Sequence, residues 1–246
     1  MAKTILIASG KGGTGKTSTS AHIALELAQQ NYRVLIIDTD CGFKGLDLVL
    51  GLTEKVVWSF KDVLSGAVST KKAVAFNDEK LHLLSAPLTP LSQEISVSHV
   101  AKMINEIYDD YDYIIIDCAA GFTYETELFA RVSNIALIVT TPDNTSLRGA
   151  ENIAHQLEDI GLQKCFLVLN RVRPRLIMKN KAKNIDDAID ITCLPLLGLI
   201  PEDEHVISCG NQGISVYTIP KSQSSIAYKN ITGRILGRNI NIMKLK

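Results

Sequence analysis

Two kinds of apolar pattern alternate along the chain. Short unbroken runs rich in Ile, Leu and Val occupy positions 4–9, 33–38, 81–86, 113–117, 135–141, 165–170 and 196–200. Unbroken runs, rather than alternating ones, suit strands buried on both faces. Positions 17–29, 97–109, 124–132 and 145–160 are longer and carry apolar residues at helical spacing. The alternation predicts an α/β fold: a mostly parallel sheet with helices on both faces, in three layers α/β/α. No repeat, low-complexity tract or linker-like stretch interrupts it, so a single domain over 1–246 is expected. In such sheets ligands bind beyond the carboxyl ends of the strands. The chemistry is therefore expected just after positions 9, 38, 117, 141, 170 and 200.

Unusual residues do stand there. Gly10-Lys11-Gly12-Gly13-Thr14-Gly15-Lys16-Thr17 follows the first apolar run and opens the first helical stretch. It fits the phosphate-loop pattern in full, in the context that pattern needs. Glycines let backbone N–H groups turn inward around phosphate oxygens, and the helix N-terminus adds partial positive charge. Lys16 reaches the β- and γ-phosphates, the Thr17 hydroxyl ligates magnesium, and Ser18 lies at the same helix start. A P-loop NTPase fold with ATP/ADP and Mg2+ as cofactors is expected.

Three aspartates close two of the runs: Asp38 and Asp40 the second, Asp117 the fourth. Residues i and i+2 of a strand share a face, so Asp38 and Asp40 point at one site. An aspartate at such a strand end is an expected partner for the metal. Magnesium ligation is expected from Thr17, Asp40 and Asp117, and catalysis from Lys11, Lys16, Asp38 and Asp40. Asp40 is expected to position the attacking water.

Composition narrows the class. The chain has 26 basic and 26 acidic residues, a net charge of zero, with 46% hydrophobic and 21% charged residues. That excludes a disordered chain and a whole-surface binder of nucleic acid. The balance is uneven, however. Residues 1–204 hold all 26 acidic and 20 of the 26 basic residues, a charge of −6, and the remainder holds six basic residues and no acid. The basic end leaves room for contact with anionic lipid. No apolar run is long enough to span a bilayer, and the start lacks the core of a signal peptide. A cytoplasmic protein, peripheral at the inner face of the membrane if it meets lipid at all, is expected. Cys41, Cys118, Cys165, Cys193 and Cys209 are scattered and unpaired in spacing, as reduced thiols are. The basic run from Arg171 to Lys183 is expected to be a solvated loop.

Lys11 carries a resemblance. A second lysine early in the phosphate loop is similar to the signature of the MinD/ParA family, the deviant Walker A ATPases of the SIMIBI class. Within that family the chain looks most like the MinD branch, over nearly its whole length. Asp38-Thr39-Asp40-Cys41-Gly42, then Leu46-Asp47-Leu48 and Leu50-Gly51-Leu52, resembles the first switch, and Asp62-Val63-Leu64-Ser65-Gly66 the segment after it. Asn170-Arg171 with Arg173-Pro174 resembles the adenine-contacting stretch. The segment from Pro195 to Pro201, Glu202 and Asp203 resembles the part that closes the base pocket.

The resemblance implies an ATP-dependent homodimer in which Lys11 crosses to the partner's nucleotide while Lys16 acts in cis. It implies a slow ATP hydrolase working as a spatial switch in division-site selection, with regulatory partners like MinC and MinE. It also implies base contacts from Asn170, Arg171, Pro201, Glu202 and Asp203. Departures are visible. Where the family reads Asp-Ser-Pro-Ala-Gly, this chain has Asp117-Cys118-Ala119-Ala120-Gly121, which leaves that loop less restricted. Gly45 stands where the first switch has Asn, and Arg148 is followed by Gly149, which lowers helix propensity. The family's MinD branch ends in an amphipathic membrane helix. Here residues 238–246 form a short basic-apolar tail, enough for about two and a half helical turns. The residues also leave open a ParA-like DNA-partition ATPase, although Cys41-Gly42 replaces the Pro-Gln of that first switch and DNA is not favoured. A flagellar-number regulator of the MinD type, and a metal-cluster carrier or redox ATPase, remain as further alternatives.

Overall fold

The computed structural model describes residues 2–76 and 79–244. Among the described residues, eight strands follow in chain order: β1 (Lys3–Ser9), β2 (Val34–Asp38), β3 (Ala75–Phe76), β4 (Leu81–Leu84), β5 (Tyr113–Ala120), β6 (Ile135–Thr140), β7 (Cys165–Val172) and β8 (Leu196–Pro201). The helices are α1 (Lys16–Gln29), α2 (Gly45–Val49), α3 (Phe60–Leu64), α4 (Thr70–Ala73), α5 (Val97–Asn105), α6 (Tyr124–Ala130), α7 (Asn144–Asp159), α8 (Pro174–Met178), α9 (Ile185–Thr192), α10 (Glu204–Asn211) and α11 (Gln223–Ile235). They build one sheet in the order β3-β4-β2-β5-β1-β6-β7-β8. Every pairing is parallel except that of β3 with β4.

The unbroken apolar runs have a simple cause. Along β1, Ile5 and Ile7 belong to one core and Leu6 and Ala8 to the other, and all four are fully buried. Successive side chains leave a strand on opposite faces, so a sheet covered on both sides needs apolar residues at every position. One face is covered by α1, through Ile23 and Leu27, and by α11, through Tyr228 and Ile231. The other is covered by α5, α6 and α7, through Met103, Phe129, Ile153 and Leu157.

The seven expected strands and four expected helices are present, with shifted ends. The fourth strand runs three residues past Asp117, to Ala120, and pairs there with Ser9. Ala119 has an N–H and a free φ, so a strand can pass where proline would remove a donor. The stretch read as a loosened loop is thus ordered as strand. The basic run is not a plain loop either, because residues 174–178 form α8 with Pro174 in its first turn. α11 escaped the hydrophobic pattern because much of its buried face is Ser224, Ser225, Thr232 and Gly233.

The tail does not continue α11. The Arg234 guanidinium donates to the carbonyls of Leu197 (2.8 Å), Ile240 (3.0 Å) and Asn241 (2.7 Å), which folds residues 238–241 back beside β8. Met243 packs against the α1/α11 core. Leu245 and Lys246 of the expected tail lie outside the described residues. No described helix is long and apolar enough to cross a membrane.

Candidate active site

The sheet order puts β1 between β5 and β6, with β2 next to β5. The phosphate loop leaves β1 at its carboxyl end and runs into α1, with Gly13 (φ 80°) and Gly15 (φ 90°) in the left-handed region. Those two turns bend residues 10–15 around the helix start, a conformation side-chain-bearing residues resist. Asp38 and Asp117 are register partners on β2 and β5, so both end at the same level beside the loop.

Lys16 is buried, and its Nζ lies 3.2 Å from Asp117 Oδ1. The Ser20 hydroxyl, one helical turn on, donates to the same oxygen at 2.8 Å. Burial alone would lower the Lys16 ammonium, but the Asp117 carboxylate more than offsets this and holds it above its ordinary value. Asp38 is also buried and accepts from the backbone N–H of Asp40 (2.9 Å) and Leu46 (3.3 Å). Burial, with Asp117 alongside, pushes its carboxyl up despite those two donors. Asp40 is partly open to solvent, and desolvation again raises it while Lys16 pulls it down. One ammonium thus faces three carboxylates in a desolvated corner, an arrangement that favours a further cation.

Two buried oxygens here have no protein partner: Asp117 Oδ2 and Thr14 Oγ1. Leaving such an atom unpaired costs roughly 1–3 kcal/mol, so both fit a site completed by a ligand. An unpaired carboxylate oxygen beside Asp38 and Asp40 suits a hard divalent cation with oxygen ligands. Thr17 opens α1 next to Lys16 and lies near Gly45, the first residue of α2.

Lys11 points elsewhere. Its Nζ donates to Thr145 Oγ1 at 3.1 Å and lies 3.9 Å from Asp143 Oδ1, and about half its side chain is exposed. Asp143 caps α7. Its partial burial works to raise the carboxyl, but donors from Thr141, Thr145 and Ser146 hold it well below the carboxylate range. A stable anion at the start of α7 therefore faces the Lys11 ammonium.

Asn170 ends a turn from the loop. Its Nδ2 donates to the Thr14 carbonyl at 2.7 Å and its Oδ1 accepts from the Arg171 N–H at 2.8 Å. Arg171 adopts φ 52°. A cavity of about 70 Å³ opens between Gly15, Ser18, Asn170, Arg171 and Pro201. Glu202 and Asp203 line it, yet both carboxylates are committed to the protein. Glu202 pairs with Arg173. Asp203 accepts from Ser222, Ser224 and His205, and these donors hold it far below its usual range against the raising effect of burial. Its work here is to tie α10 to the start of α11. A broader cleft of about 670 Å³ shares Pro201, Glu202 and Asp203 with that cavity and lies between Arg173, Arg175 and Lys221.

The structure thus brings together Gly10, residues 12–18, Asp38, Asp40 and Asp117, turns the Lys11 side chain to the start of α7, and places Asn170, Arg171 and Pro201 at the loop's flank. Sequence reasoning missed Ser20, Asp143 and Thr145. Ser20 had a signal, since it stands four residues after Lys16 on one helix face.

A mostly parallel sheet with a phosphate loop after β1 and aspartates on the neighbouring β5 and, one strand further out, β2 defines a P-loop nucleotide-binding protein. The model of the CobQ/CobB/MinD/ParA nucleotide binding domain matches residues 5–216, and the chain belongs to that family. It is 34% identical to the septum site-determining protein MinD of Bacillus subtilis, over all of this chain and 93% of that one. Among solved structures it resembles the MinC:MinD cell division protein complex of Aquifex aeolicus, with a TM-score of 0.91 and 30% identity over 99% of both chains. It also resembles MinD of Pyrococcus horikoshii complexed with Mg-ADP, with a TM-score of 0.83 and 28% identity over 96% of both.

Proposed function

We propose that this chain is a magnesium-dependent ATPase that acts as an ATP-dimerised spatial switch in division-site selection. The observation that carries the proposal is the buried Lys16–Asp117 pair, with Asp117 Oδ2 left unpartnered at the mouth of the phosphate loop. The full-length likeness to MinD proteins supports the biological role.

Backbone N–H groups of residues 12–16 face the phosphates, and the α1 dipole favours their charge. Lys16 exchanges Asp117 for phosphate oxygens, a shift of one charged partner for another within the same pocket. Thr17, Asp40 and Asp117 would hold Mg2+, which neutralises charge on the β- and γ-phosphates when bound. Asp38 keeps the first switch in place through the N–H groups of Asp40 and Leu46. The Asp40 carboxylate, partly open to solvent, also orients a water for in-line attack. Water is the acceptor, and ADP and phosphate leave. Lys11 supplies its charge in trans: released from Thr145 and Asp143, it reaches the partner's nucleotide, so that full turnover waits on dimerisation. Asn170, Arg171 and Pro201 take the base side. A regulatory protein of the MinC or MinE kind, and anionic lipid at the basic C-terminal end, are the proposed partners.

The test is phosphate release from ATP by the purified chain with Mg2+, with excess chelator, and by Lys16→Ala. Slow release that stops with chelator and falls at least about 100-fold in Lys16→Ala is expected, as for loss of a buried charge on the transferring group. Release that is indifferent to both would contradict the proposal.

A further inference from the structure

α7 carries Gly149 on its second turn, where glycine costs a helix roughly 1 kcal/mol against alanine. The neighbour of that residue gives the reason. Gly149 lies directly against Gly10, the first glycine of the phosphate loop. A Cβ on Gly10 would overlap the Gly149 backbone, and one on Gly149 would stand only 3.2–3.3 Å from backbone atoms of Gly10. Backbone meets backbone with no side chain between. The same helix meets the loop again at its first turn, where Thr145 accepts from Lys11. Residues 10 and 11 are therefore each held by α7. Beside this contact a cleft of about 400 Å³ opens between Gly10, Gly121, Phe122, Gly149, Asn152 and Gln156.

We propose that Gly149 is a positioning residue for the phosphate loop. Its missing side chain lets α7 sit on Gly10 and fix where the loop leaves β1, so that the N–H groups after it converge on phosphate. Gly149 touches no nucleotide atom; it acts through Gly10. The proposal deepens, and rests on, the assignment of residues 10–17 to the nucleotide phosphates. It also gives the glycine after Arg148 a purpose that helix propensity alone does not.

Equilibrium binding of a fluorescent ADP with Mg2+ to the full chain tests it, in wild type and Gly149→Ala. Gly149→Ala is expected to bind about tenfold more weakly, a change of about 1.4 kcal/mol, while its helix content holds because alanine is the better helix former. Unchanged affinity in Gly149→Ala, with wild type binding well, overturns the positioning role alone. A wild type that binds no ADP instead removes the phosphate-site assignment and this proposal with it. Hydrogen exchange on the wild type gives a second measure that needs no variant. Mg-ADP is expected to slow exchange at the amides of residues 148–151 as well as in the loop. Protection confined to the loop would overturn the proposal, since a packing role alone couples the helix to no ligand.

Discussion

The Asn170 side chain donates to the Thr14 carbonyl at 2.7 Å and occupies the space that a Cβ on Gly15 would need. One strand end thereby braces the phosphate loop. The bond couples two parts of the proposed nucleotide site: the turn assigned to phosphate and the strand assigned to the base.

Asn170→Ala removes that brace. Its expected effect is a loss of about 1 kcal/mol, the net worth of one such hydrogen bond, seen as roughly fivefold weaker ADP binding. Titration calorimetry with Mg-ADP checks it. Affinity equal to wild type would show that Thr14 is held without Asn170.

His22 makes stability depend on pH. It is buried against Tyr228, with stacked rings 4.6 Å apart, and its Nδ1 lies 2.7 Å from the Ser18 carbonyl while Nε2 accepts from the Val216 N–H. The two bonds fix the neutral tautomer. Desolvation lowers its pKa from 6.5 to about 4. The unfolded chain therefore binds the proton more readily than the folded one between those values. Its contribution is fully present above pH 6.5 and is lost as pH falls towards 4, amounting to about 3 kcal/mol at most. Urea unfolding across pH 4–7 is expected to show that slope, and His22→Gln to flatten it.

Asp40→Ala is expected to bind ATP and to release phosphate at least about tenfold more slowly, in keeping with loss of a water-orienting group. With turnover blocked, the ATP-bound dimer should persist in the variant. Phosphate release at the wild-type rate would take Asp40 out of the reaction.

Much of this was legible in the sequence, for physical reasons. A sheet buried on both faces demands continuous apolar runs, so β1, β2 and β4 to β8 were visible as such. The phosphate loop was visible because only glycines tolerate the turns at residues 13 and 15. α11 was not, since its inner face is small and polar, and β3 is too short to carry a pattern. Gly149 read as a defect in a helix until its neighbour, 139 positions away, was Gly10. The carboxylate partners of Glu202 and Asp203, namely Arg173, Ser222 and Ser224, come from other segments and had no signal in the sequence. Contacts of that kind follow from the fold and not from local pattern.

The neighbours of Lys11 within one chain, Thr145 and Asp143, do not use its charge for chemistry. The most direct test of the trans role of Lys11 is the solution mass of wild type and Lys11→Ala with Mg-ATP and with Mg-ADP, by light scattering on a sizing column. Wild type is expected to be a dimer with ATP and a monomer with ADP, and Lys11→Ala to bind ATP yet stay monomeric. A Lys11→Ala chain that dimerises on ATP as wild type does would contradict that role.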